Sequence, residues 1–123
     1  MIQCFQIRLM EEESKNSGKV FDWDFIREHC SGFDEYQKHI QSLSFDELFA
    51  HTGLDRALFE EAVELLKNHT KIIACWAMGL TQHKNAVGTI QEVTNLLFTK
   101  GAIGKPGAGT CPVRGHSNVQ GDR

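Results

Sequence analysis

Apolar residues recur at helical spacing through the first half of the chain, in short stretches that begin at capping residues and end at glycines. The stretch FDWDFIREHC (21–30) predicts a short helix that begins at Asp22 or Asp24. Gly32 interrupts this pattern, and the sequence DEYQKHIQS after it predicts another short helical piece. The first half is therefore expected to be mainly helical.

Two more helices are predicted before residue 70. Ser44 and Glu47 are three residues apart, which is the spacing of a capping box, and the helix they start stops at Gly53. The next helix is capped near Asp55. Its apolar positions define one face that we expect to be buried: Leu54, Leu58, Ala62, Leu65 and Leu66.

The pattern changes in the second half. The run KIIACWAM (71–78) is continuously apolar and rich in β-formers, and it ends at Gly79, which predicts a strand buried on both faces as in a parallel sheet. A helix follows, with Lys100 in its last turn and Gly101 just past its end. Its expected buried face is formed by Ala86, Ile90, Val93 and Leu97. The segment CFQIRLM (4–10) alternates partly and is a weaker strand candidate.

These elements predict an α/β fold in the form of a partial three-layer unit, with a helical N-terminal half and one clear buried parallel strand (71–78). We expect residues 1–19 to be a loose N-terminal segment and residues 20–123 to be a single α/β domain fragment. No apolar run approaches the roughly 20 residues that span a bilayer, and we expect no signal peptide.

Charge is divided unevenly along the 123 residues. Residues 1–70 contain 7 Lys/Arg and 14 Asp/Glu, a balance of −7, whereas residues 71–123 contain 6 and 2, a balance of +4. The acidic half is a poor nucleic-acid surface, while the basic, glycine-rich half suits a small polyanionic ligand. The alternative is a chance imbalance on solvated faces.

The four cysteines, Cys4, Cys30, Cys75 and Cys111, include no C-x-x-C pair. This spacing argues against a locally built zinc or iron–sulfur site and against a disulfide framework. It indicates a reducing compartment, so we expect a cytoplasmic protein.

The segment Gly79–Asn85 follows the predicted strand. In open α/β sheets, ligands bind at the carboxyl ends of strands, and the N-terminus of the next helix offers N–H groups to an anion. Gln82 and His83 would add side-chain contacts. The alternative is a plain turn between strand and helix.

The C-terminal residues form a second candidate. The glycine-rich loop from Gly101 lacks the spacing of a P-loop, and it follows a helix, which excludes a dinucleotide-binding fingerprint. Beyond it, Arg114 suits a carboxylate or phosphate, and Asn118 and Gln120 suit the edge of a heterocycle. Glycines 115 and 121 keep the backbone open, and the alternative is a polar tail.

Three motifs in register resemble the large subunit of molybdopterin oxidoreductases, in particular members similar to the formate dehydrogenase alpha subunit. The W-x-M-G-x-x-Q-H motif is matched from Trp76 to His83, and G-x-I-G-x-P-G-x-G from Gly101 to Gly109. The motif P-x-R-G-x-x-N-V-Q-G is matched from Pro112 to Gly121. The resemblance covers roughly residues 20–123, upstream helices included.

The resemblance implies a bis-molybdopterin guanine dinucleotide cofactor, with molybdenum or tungsten held by its dithiolenes. It implies that Arg114 lies near the metal and orients an anionic substrate such as formate, as a catalytic residue. No residue of this chain is predicted to ligate the metal. The cofactor-binding residues that it implies are Gly79, Gln82, His83, Gly115, His116, Asn118, Gln120 and Gly121.

The chain also departs from that family. It has no cysteine cluster for a [4Fe–4S] centre and no segment matching the one that ligates molybdenum. His116 and Ser117 replace the Gln and Asn typical of formate dehydrogenases, which leaves the substrate open. We therefore expect a fragment of the large subunit that is inactive alone and partners the rest of that subunit.

Two other function classes compete with this interpretation. A helix-turn-helix DNA-binding module would match the two helices around Gly53, but the second helix carries Glu60, Glu61 and Glu64, which phosphates repel. A non-catalytic interaction or scaffold piece would instead expose a sheet edge and self-associate.

Overall fold

The computed structural model describes residues 1–113 and Gly115. This part of the chain is a mixed α/β structure of seven helices and two strands. In chain order the elements are α1 (Ile2–Lys15), α2 (Trp23–His29), α3 (Phe33–Gln41), α4 (Phe45–Ala50), α5 (Arg56–Asn68), β1 (Ile73–Trp76), α6 (Met78–Thr81), α7 (Ala86–Thr99) and β2 (Gly109–Pro112).

Helix α1 overturns two expectations about the N-terminus. Residues 2–15 form a helix, so they are neither a loose segment nor, at 4–10, a strand. Cys4, Ile7 and Met10 are buried at three-residue spacing, which places them on one face of a helix. This helix contacts α3, α4, α5 and α7, and it is the central element of the core.

The predicted helix starts in the first half are confirmed. Asp22 rather than Asp24 caps α2, because its Oδ1 accepts a hydrogen bond from the N–H of Phe25 at 3.0 Å. Ser44 Oγ accepts from the N–H of Glu47, and Asp55 Oδ1 accepts from the N–H of Leu58. Each side chain satisfies a donor that the first helical turn leaves free.

The buried face of α5 differs in part from the predicted one, of which Leu66 does pack against the core. Leu58 and Leu65 are 66% and 63% exposed, whereas Phe59 and Val63 are buried at four-residue spacing. Phe59 stacks on Phe5 of α1 at a ring-centroid distance of 4.6 Å. The aromatic ring offers more area to bury than a leucine side chain does, so it turns this face of α5 inward.

A parallel pair of strands replaces the single strand expected. β1 pairs with β2 in the register Ile73 with Gly109 through Trp76 with Pro112. β1 is also shorter than the predicted 71–78 and is not buried on both faces, since Ile73 is 56% exposed. A sheet of two strands covers little of its own surface, so its apolar side chains remain accessible to solvent.

Helix α7 ends as predicted at Lys100 and Gly101. The N–H of Ala102 donates to the carbonyl of Leu97 at 2.8 Å, and that of Gly101 donates to Phe98 at 3.0 Å. These two bonds form a Schellman motif, with Gly101 in the left-handed region at φ +55°. Of the predicted inner face, Val93 and Leu97 are buried, and Leu96 joins them.

Two buried ionic side chains hold the segment between α1 and α2. The Glu13 carboxylate accepts from the N–H groups of Gly18, Val20 and Phe21 and from the indole N–H of Trp23. Lys100 is 1% exposed, and its Nζ donates to the carbonyls of Val20 and Lys67. Burial lowers the pKa of Lys100. Both side chains therefore act as internal supports of this loop.

Among the helices that the structure describes, none combines the length and the hydrophobicity that a bilayer crossing requires.

Candidate functional site

The two strands bring separate sequence motifs together at one edge of the sheet. Trp76 and Pro112 are paired in register at the carboxyl ends of β1 and β2. The N–H of Val113 donates to the carbonyl of Trp76 at 2.7 Å and extends the pairing beyond the strands. The segments that begin at Ala77 and at Val113 therefore leave the sheet side by side.

Met78 connects the two segments. An added Cβ on Gly115 would lie 3.3 Å from Met78 Cε and 3.5 Å from Met78 Sδ, so Gly115 lies against the end of the Met78 side chain. Gln82 Nε2 approaches Met78 Sδ at 3.5 Å from the following turn. Of the predicted site residues, the structure thus brings Gly79, Gln82 and Gly115 around one methionine.

Glycine 79 faces open space. It lies in α6, and a Cβ built on it would meet no atom within 4 Å. Gly79, Gln82 and Gly115 are all exposed. The arrangement is an open surface formed by two neighbouring backbones, which allows a large ligand to approach the main chain closely.

The turn from α6 to α7 contributes the remaining polar groups. His83 is exposed, and its carbonyl accepts from the N–H of Ala86 at 3.1 Å. Asn85 occupies the N-cap of α7 without a capping hydrogen bond from its side chain. Apart from that of Ala86, the free N–H groups of the first turn of this 14-residue helix therefore lie at the same turn, where an anionic group would satisfy them.

The glycine-rich loop between α7 and β2 packs against the protein itself at two positions. A Cβ on Gly101 would lie 2.8 Å from Asp22 Cγ, and one on Gly107 would lie 3.4 Å from Lys71 Cδ. Gly101 and Gly107 both have positive φ angles, of 55° and 82°. These glycines are explained by the close turn that returns the chain to β2.

Several predicted site residues lie outside the described residues. They are Arg114, His116, Asn118, Gln120 and Gly121. Within residues 1–113 and Gly115, no three His, Cys, Asp or Glu side chains converge as a metal site.

Sequence reasoning missed Met78 as a site residue. Its side chain is 49% exposed and contacts the position of Gly115. Its place in the W-x-M-G motif was the available signal, but a methionine before a turn is more often a packing residue. Only the pairing of β1 with β2 shows that it bridges the two motifs.

Comparison with known proteins gives relatives that are much longer than this chain. No protein-family model matches it. The "Uncharacterized oxidoreductase Rv2900c" of Mycobacterium tuberculosis (strain ATCC 25618 / H37Rv) is 50% identical over 115 residues, which are 94% of this chain and 15% of the relative. The "Probable oxidoreductase YjgC" of Bacillus subtilis (strain 168) is 40% identical over 105 residues, 85% of this chain and 11% of the relative.

"Formate dehydrogenase H" of Escherichia coli (strain K12) is 32% identical over 102 residues, 83% of this chain and 14% of that protein. The chain thus spans between 11% and 15% of the length of these curated relatives. The matches confirm the resemblance to oxidoreductases similar to formate dehydrogenase.

Proposed function

We propose that this chain, a segment similar to formate dehydrogenase-like oxidoreductases, supplies part of the cofactor site of a molybdopterin-dependent oxidoreductase. The observation that carries the proposal is the convergence of Gly79, Gln82 and Gly115 where β1 and β2 end. Ligands of α/β sheets bind at this edge, and dinucleotide-type groups need close approach to the backbone. The sheet would be part of a larger dinucleotide-binding-like domain.

The described residues fit a large anionic ligand such as bis-molybdopterin guanine dinucleotide. Gly79 leaves open space for a ligand, and the first turn of α7 is not capped by Asn85. Residues 71–123 carry a formal balance of +4, which favours a ligand with pyrophosphate groups. The amide of Gln82 and the imidazole of His83 are exposed and available as hydrogen-bonding groups.

The predicted cofactor-binding residues have two kinds of role in this proposal. The bound cofactor, with molybdenum or tungsten on its dithiolenes, would supply the redox chemistry. Gly79 and Gly115 would admit the ligand to the backbone, and Gln82 and His83 would hydrogen-bond to it. His116, Asn118, Gln120 and Gly121 would contribute further contacts to the same cofactor.

Arg114 would act differently, as the catalytic residue. Its guanidinium is always charged and presents a planar fork of donors, which matches a carboxylate such as formate. It would orient a small anionic substrate next to the metal and would not hold the cofactor. Substrate binding would require the complete enzyme, in which the rest of the large subunit is the partner of this chain.

Metal and pterin content tests the cofactor role. The chain is purified from a host that makes the cofactor, and molybdenum, tungsten and released pterin are measured per mole of protein. We expect retention of metal and pterin, and a loss of at least tenfold in the Gly79→Leu variant, whose side chain fills the open space. Ala57→Leu adds a similar side chain at an exposed position of α5 and serves as the matched control.

The outcomes separate the roles. Equal pterin in Gly79→Leu and Ala57→Leu, or none in the unsubstituted chain, would contradict the cofactor proposal. Arg114→Gln is expected to keep its pterin, because the arginine is assigned to the substrate. Loss of pterin in Arg114→Gln would instead place that residue in cofactor binding.

The exposed apolar face of α5 favours a second candidate function, that of an interaction or scaffold piece. Leu58 and Leu65 expose most of their area on a helix whose other side is buried. Such a face is typical of a protein–protein contact, here with the rest of a large subunit or with a second copy. In sedimentation velocity, Leu58→Gln with Leu65→Gln should reduce self-association without lowering the melting temperature. Unchanged association would argue against this face.

A further inference from the structure

Two of the four cysteines lie opposite each other on neighbouring strands. Cys75 of β1 and Cys111 of β2 are partners in the parallel register. Residues that are opposite in a parallel pair project to the same face of the sheet. Both cysteines are exposed, whereas Cys4 is buried and Cys30 is half-buried. The fold thus brings together one accessible pair of thiols from positions 36 residues apart.

The spacing of the two strands suits a covalent link. Neighbouring strands lie about 4.7–4.9 Å apart. Disulfide-linked residues usually have Cα atoms about 4.4–6.8 Å apart, so partners in this register fall within that range. The strands form a two-stranded sheet in which both cysteines are exposed.

The neighbouring thiol also affects the pKa of Cys75. The pKa of Cys75 is raised, first by desolvation and then by its interaction with the neighbouring Cys111 thiol. The thiolate is the attacking species in disulfide exchange, so oxidation should be faster at alkaline pH.

We propose that Cys75 and Cys111 form a reversible dithiol–disulfide pair that links β1 to β2. A low-molecular-weight disulfide such as oxidised glutathione is the oxidant. One thiolate attacks it to give a mixed disulfide and one glutathione thiolate, and the second cysteine thiolate then displaces the other glutathione. One S–S bond forms within the protein, one breaks in the oxidant, two electrons pass to glutathione, and the two protons released by the cysteines are taken up by the glutathione thiolates or the buffer.

The link would hold the Gly79 and Gly115 segments in fixed register, because each follows one of the joined strands. The pair itself requires only the two thiols and the parallel register. It therefore stands apart from the proposed cofactor role, and its test uses no cofactor.

Peptide mass spectrometry under a glutathione redox buffer tests the proposal. We expect one intramolecular link between the peptides that contain Cys75 and Cys111, reversed by dithiothreitol. Because the link closes a loop of more than 30 residues, oxidation should raise the melting temperature by roughly 10 °C. Cys75→Ser and Cys111→Ser should each abolish this shift, and Cys30→Ser should retain it.

Stable glutathione adducts on the separate thiols, or a disulfide-linked dimer through Cys75, would overturn the proposal. A melting temperature that rises equally in Cys75→Ser would overturn it as well. Serine is close in size to cysteine and both positions are exposed, so we expect both variants to fold. Their melting temperatures in the reduced state check this independently.

Discussion

Replacing Glu13 by alanine should strongly destabilise the chain, because this carboxylate is the acceptor for four donors. Three are backbone N–H groups, of Gly18, Val20 and Phe21, and the fourth is the Trp23 indole N–H at 2.6 Å. Val20 and Phe21 are each 5% exposed, so water cannot readily replace the carboxylate at their N–H groups. A buried donor without a partner costs about 1–3 kcal/mol.

Two such donors, together with the lost Gly18 and Trp23 bonds, give an expected loss of about 3–5 kcal/mol. This is a large part of the 5–15 kcal/mol typical of a small domain. The free energy of unfolding is measured by urea titration, followed by circular dichroism and by tryptophan fluorescence. Glu13→Gln keeps one acceptor oxygen, so its free energy of unfolding should lie between those of the unsubstituted chain and Glu13→Ala. Glu61→Ala changes an exposed glutamate of α5 and should cost less than about 0.5 kcal/mol.

The pH dependence gives an independent check. Burial by itself raises the pKa of Glu13, but the hydrogen bonds from Gly18, Trp23, Phe21 and Val20 outweigh it, and the pKa lies below its ordinary value. The stabilisation is therefore fully present above the unfolded pKa of about 4.3 and is lost as pH falls through the lower folded value. Glu13→Ala should lose less stability than the unsubstituted chain over that interval. A loss near that of Glu61→Ala at neutral pH would refute the assigned role of Glu13.

The other predictions concern two packing features. Gly101→Ala should lower the free energy of unfolding by about 2–3 kcal/mol, because its Cβ would displace the Asp22 cap and its φ is positive. Gly88→Ala places a Cβ in open space on α7 and should not destabilise the chain. Thermal melts compare the two variants. In urea titrations, Phe59→Ala should lower the free energy of unfolding by about 3–5 kcal/mol and Leu58→Ala by less than about 1 kcal/mol. The reverse order would show that the leucine face of α5 is the buried one.

Local chemistry determined where most elements begin and end. The Ser44, Asp55 and Asp22 caps each accept from an N–H three residues along, and Gly101 ends α7 because its φ is positive. Such contacts involve neighbours in the chain, so the order of residues is sufficient to predict them. The motifs at Gly79 and Gly115 could also be recognised in the sequence, and with them the resemblance to oxidoreductases.

Contacts between distant segments were decided only by the tertiary structure. The apolar spacing of α5 allows either a leucine face or the Phe59 face to be buried, and stacking on Phe5 selects the second. The residues from Cys4 to Met10 fit a strand or a helix, and packing against four other helices makes them helical. Pairing of β1 with β2 places Met78 against Gly115 and Cys75 opposite Cys111. No local pattern encodes that register, because its free energy comes from hydrogen bonds between segments more than 30 residues apart.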